Sequence, residues 1–193
     1  MKEKIAKFVR VITVPPVLAS AMLVILYCSF GKEFASLAEV LMGILCLSIV
    51  PVCAYPIAGL EKNRPDTREN QRRIAFILNL AGYLIALIIG ITMKYPKMLV
   101  SIFWAYLIAV LILTFVNKET HLRASGHAAS CVLPYLVLSY WMGGWSVLLC
   151  ICLYGIEFWA SVELKRHTIQ EFLIGSLAAV GAFGCVWMAF GFF

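Results

Sequence analysis

The stretch Ala124-Ser125-Gly126-His127 and its echo Lys165-Arg166-His167-Thr168-Ile169-Gln170-Glu171 each turn a polar linker into an apolar run. The chain has three histidines, and two of them stand at such a junction. On either side of the two junctions the chain divides into seven apolar segments, roughly at 11–30, 35–60, 74–93, 98–116, 128–140, 146–162 and 172–193. The fifth is short, and starting its helix at Ser125 brings it near the ~20 residues a membrane span needs. Its link to the sixth, Trp141-Met142-Gly143-Gly144-Trp145, reads as a glycine turn flanked by interfacial tryptophans. Reading the fifth and sixth as one broken helix would reverse the topology of the last segment.

Composition agrees with the segments. Hydrophobic residues make up 63% of the 193 and charged ones 13%, with a mean hydropathy of +0.93. Soluble domains carry about 25% charged residues. The sequence therefore predicts an all-α protein, a single polytopic membrane bundle of six or seven transmembrane helices over 1–193. Pro51, Pro56 and Pro134 fall within spans, where neighbouring helices satisfy the freed carbonyls. Lys2, Lys4, Lys7 and Arg10 precede the first run as in a signal peptide, but that run continues past Pro15-Pro16 and lacks a small-x-small cleavage site. All seven cysteines lie in apolar runs without zinc-ligand spacing beside histidine, so they read as packing residues, and no metal or other cofactor is expected. There is no nucleic-acid motif.

Charge sets the orientation. With seven helices, the amino terminus and the linkers after helices two, four and six share one side. That side collects thirteen of the sixteen basic residues; Lys32, Lys94 and Lys97 fall opposite. The positive-inside bias makes the richer side cytoplasmic. The stretches 61–73, 117–127 and 163–171 then converge on one face.

Their chemistry suits phosphate. A helix amino terminus offers unsatisfied N–H groups and a positive dipole end, a ready anion site. Imidazole serves as a nucleophile when neutral and as an acid when protonated. Glu171, four residues after His167, can orient one ring nitrogen. Ser125 and the Gly126 amide can cradle phosphate oxygens. The basic run from Glu61 to Arg73, with Lys62, Arg68 and Arg72, can neutralise phosphoryl charge, and Arg166 lies beside His167. His121 reads as a solvated loop residue.

In its order of motifs the chain resembles the type-2 phosphatidic acid phosphatase superfamily over roughly residues 60 to 180. The matching parts are Ser125-Gly126-His127 and the stretch from Trp159 to Glu171. The resemblance implies that His167 attacks phosphorus to form a phosphohistidine, that His127 protonates the leaving oxygen, and that Glu171 orients the nucleophile without a metal. It implies lipid phosphates or isoprenoid diphosphates as substrates. The chain departs from the pattern at Ser161, where the family has an arginine six residues before the nucleophile, and in the first, lysine–arginine–proline part, which is degenerate. Arg166, Arg72 and Arg123 are the candidate replacements. The expected function is a membrane lipid phosphatase in the plasma membrane of a prokaryote, with its site facing the cytoplasm. The alternative is a catalytically weak relative that binds or transports phospholipid headgroups in the same pocket.

Overall fold

The computed structural model describes residues 2–60, 67–120 and 122–191, with the backbone alone at 67–69. Among the described residues every regular element is helical. The chain runs α1 (Lys2–Ile12), α2 (Pro15–Phe30), α3 (Leu37–Leu60), α4 (Thr67–Thr92), α5 (Lys97–Glu119), α6 (Gly126–Met142), α7 (Trp145–Glu163) and α8 (Ile169–Phe190). Among the described residues six helices are long and apolar enough to cross a membrane; they include all but α1 and α6. Helix α6, at 17 residues, is about 25 Å long, shorter than the ~30 Å hydrocarbon core.

The first apolar segment does not run unbroken from residue 11 to residue 30. Helix α1 ends at Ile12, and α2 begins at Pro15. Proline disfavours helical geometry in the residue before it, and Val14 is accordingly extended (φ −62°, ψ 141°). Pro15 and Pro16 lack N–H groups, which a helix's first turn does not need. Thr13 closes α1 by donating its hydroxyl to the Val9 carbonyl at 2.9 Å. Helix α1 is amphipathic: Ala6 and Val9 pack against Ala160 and Leu164 of α7 and its end, while Ile5, Phe8, Val11 and Ile12 stay exposed.

Helix α3 is interrupted by a π-turn at Leu45–Ile49 and a break at Cys53. Gly82 of α4 lies against the Cys46 carbonyl there, a contact that any side chain would obstruct. Helix α5 is the centre of the bundle: 61% of its apolar window is buried, against 22–44% for the other spans. Helices α4, α6 and α8 pack on it, and α2 closes against α6. The fifth and sixth apolar segments are separate helices, α6 and α7, packed on each other and joined through Gly143 and Gly144, both at positive φ (59° and 47°). The starts of α6 and α8 meet, since the Ser125 N–H donates to the Glu171 carbonyl at 2.9 Å. Gly175 makes this meeting possible, because a Cβ there would strike the Ser125 backbone.

Candidate functional site

Each histidine is positioned by a helix start. Ser125 is the N-cap of α6, its side chain accepting the Ala128 N–H at 3.1 Å, a contact that stabilises helices by about 1 kcal/mol. His127 follows in the first turn. The linker before it is held by Asn117, whose Oδ1 accepts the Ala124 N–H at 2.8 Å. At the other junction Thr168 is the N-cap of α8 and forms a capping box with Glu171. The Thr168 hydroxyl accepts the Glu171 N–H, and Glu171 Oε2 accepts the Thr168 N–H, both at 3.1 Å. His167 therefore lies just before the helix rather than on it. The turn that delivers it bends sharply: Lys165 has φ 50°, a strained region for a residue with a Cβ, and the Arg166 N–H returns to the Ser161 carbonyl at 3.1 Å.

The two imidazoles face each other, ring centroids 6.3 Å apart and planes 21° from parallel. Each has a carboxylate. His167 Nδ1 lies 3.6 Å from Glu171 Oε2, beyond hydrogen-bond distance. His127 Nε2 lies 3.3 Å from Glu157 Oε1, too far off axis to count as a hydrogen bond. Glu157 projects from α7 and is 1% exposed, and its Oε2 accepts the Tyr135 hydroxyl proton at 3.1 Å. Burial, first, and then the positive charges of His127 and Arg10 hold His167 below the usual histidine pKa, against the opposing pull of Glu171. Nδ1 is the ring nitrogen turned to Glu171.

Arg10 enters from α1. Burial and the neighbouring Arg166 lower its pKa, while Cys131, Glu157 and Tyr55 act in the other direction. Its Nη1 is buried without a hydrogen-bond partner, as are His127 Nε2, Glu157 Oε1 and Ser161 Oγ. Four unpartnered polar atoms in one region are unusual, since buried polar groups are nearly always satisfied.

The remaining residues singled out in the sequence divide. Gly126 is exposed, with open space where a Cβ would stand. Ser125 is buried and committed to its cap. Arg166 is exposed beside Arg10. Arg72 and Arg123 are exposed on the linker-proximal ends of the bundle. Lys62 and His121 lie outside the described residues, as does the side chain of Arg68. Two residues escaped the sequence reading. Glu157 is an acidic residue inside an apolar run, and such a residue marks a functional position by default. Arg10 read only as part of a basic start.

The donor atoms of His127, Cys131 and Glu157 lie within 4.8 Å of one another, a spacing that admits a metal ion. The Cys131 thiol, however, donates to the Thr13 carbonyl at 3.3 Å. A thiol must lose its proton to ligate, and the Arg10 cation stands beside it.

Compared with known proteins, the chain matches no family model, no curated protein and no solved structure.

Proposed function

We propose that the chain is a membrane phosphatase that hydrolyses a lipid phosphate or isoprenoid (di)phosphate through a phosphohistidine. The observation that carries the reading is the facing pair His127–His167 at 6.3 Å, each ring backed by its own carboxylate. Two equivalent histidines would both be either bases or acids. Here their surroundings differ: burial holds the His167 pKa below the usual histidine value, and His127 stands beside a carboxylate sealed from solvent.

The steps follow from these positions. The Nε2 lone pair of His167 forms a bond to phosphorus. The P–O bond to the lipid, or to its terminal phosphate, breaks, and its electron pair stays on the leaving oxygen. His127 gives that oxygen a proton. Water then attacks the phosphohistidine, deprotonated by His127, and inorganic phosphate leaves with His167 neutral again. Glu171 and Glu157 orient the rings. The basic excess on this end of the bundle supports a cytoplasmic face in a prokaryotic plasma membrane, with the surrounding bilayer supplying the substrate.

Phosphate release from phosphatidic acid, phosphatidylglycerol phosphate, undecaprenyl diphosphate and a prenyl monophosphate tests the reading. Turnover of one or more, lost in His167→Ala, is the expected result. A wild type inactive on all four that still binds phosphate would favour the headgroup-binding alternative, to which Ser161 in place of a family arginine points.

A further inference from the structure

We propose that Arg10, carried into the site by the amphipathic helix α1, is the guanidinium that grips the phosphoryl oxygens of the substrate. The inference rests on the phosphate reading of the same site and names a group which that reading lacks.

Three observations place Arg10 there. Ala6 and Val9 dock α1 on Ala160 and Leu164, which flank Ser161 in the chain, so the helix lies along the end of α7. Three residues after Arg10, the Thr13 carbonyl accepts the Cys131 thiol at 3.3 Å. Cys131 stands one turn beyond His127 on α6. The carboxyl end of α1 is thereby fixed to both helices that frame the site. A surface helix held only by apolar docking could slide; this one is also pinned at Thr13, three residues past Arg10.

Charge makes the second part of the case. Arg10 and Arg166 are close enough to repel, and the Arg10 charge also bears on His167 and Glu157. Arg10 Nη1 has no accessible surface and no partner among the described residues. Buried guanidinium donors ordinarily find an acceptor. Glu157 Oε2 accepts the Tyr135 hydroxyl proton and Oε1 lies 3.3 Å from His127 Nε2, and neither takes a hydrogen bond from Arg10 Nη1. Ser161, sealed at 1% exposure, leaves its hydroxyl unpartnered on the same side. Two cations and an unused hydroxyl around a histidine pair fit one dianionic phosphoryl group, whose oxygens would meet the Arg10 fork bidentately.

The test uses the full chain in lipid nanodiscs, as wild type, Arg10→Met and Arg10→Lys. It reads phosphate release on the fastest of the four lipids and the affinity for inorganic phosphate by calorimetry. Expected is a loss of kcat/KM on the order of 100-fold in Arg10→Met with weaker phosphate binding, partial recovery on adding millimolar guanidinium, and incomplete recovery in Arg10→Lys, which cannot grip bidentately. Wild-type rate and phosphate affinity in Arg10→Met overturn the inference and leave the phosphatase standing. If Arg10→Met does not fold, Arg10→Lys decides, and full kcat/KM with lysine overturns it. A wild type that turns over no lipid but binds inorganic phosphate through Arg10 upholds the inference and ends the phosphatase reading. Neither turnover nor phosphate binding ends both.

Discussion

His127 Nε2 lies 3.3 Å from Oε1 of Glu157, a carboxylate 1% exposed whose Oε2 accepts the Tyr135 hydroxyl proton. Substituting it separates charge from shape. Glu157→Gln keeps an oxygen for the Tyr135 hydroxyl and is expected to fold. It should slow turnover of poor leaving groups, because the His127 ring loses the charge that orients it. Glu157→Leu also strands the Tyr135 hydroxyl, and leaving a buried polar group unsatisfied costs about 1–3 kcal/mol. Thermal unfolding in detergent distinguishes them: the glutamine variant should melt near wild type and the leucine variant well below it.

The two histidines should fail differently. On the proposed mechanism His167→Ala removes the attacking atom, so no acid-labile phosphoenzyme should form on any substrate. His127→Ala removes the proton donor, which matters most for alkoxide leaving groups. Turnover of an activated aryl phosphate should survive in His127→Ala to a much greater degree than turnover of a lipid phosphate. Equal losses on both would contradict the assignment of the acid.

The acid limb of the pH profile carries a sign. His167 must be neutral to attack, and its pKa in the folded protein lies below the ordinary 6.5. The unfolded chain therefore binds a proton at a higher pH than the folded one. Lowering the pH through 6.5 costs stability until the folded-state pKa is also passed, after which the loss levels off. The limb of kcat/KM should accordingly fall below 6.5. Arg10→Met, which removes a neighbouring positive charge, should move it up. Glu171→Gln, which removes the opposing negative one, should move it down. A limb at or above 6.5 in wild type would contradict this environment for His167.

Thr168 reaches the chemistry through the backbone. Thr168→Ala removes the hydroxyl that accepts the Glu171 N–H, at about 1 kcal/mol. The Glu171 side chain is then less firmly held, and with it the 3.6 Å contact to His167. The expected signature is a modest fall in melting temperature with a larger fall in kcat than in KM, and Thr168→Ser should recover both.

The helical bundle was legible in the sequence because a membrane allows few solutions. Long apolar runs in lipid must be helices, and a polar junction between two of them must reach an interface. The order of runs and junctions puts His127 and His167 at one end of the bundle once the fifth and sixth runs are separate helices, as α6 and α7 are. The glycine pair at 143–144 likewise identifies a turn. Other features depend on tertiary contact. Whether residues 2–12 lie apart from α2 turns on two prolines and on a docking partner, Ala160, about 150 residues away in sequence. The Glu157–His127 pairing requires knowing that α6 and α7 present those positions to each other. Reading Glu171 as a simple i,i+4 partner overlooked the N-cap at Thr168, which claims the same oxygen.

The missing side chain at Gly175 has a wider consequence. Because α8 reaches the Ser125 backbone there with nothing in between, the separation of the two imidazoles is gauged by main-chain contact rather than by rotamers. Such a gauge has almost no tolerance: a single methyl group at position 175 would act as a wedge between the two helix starts. The spacing of the two histidine-bearing helix starts is thus inherited from how closely two backbones can touch.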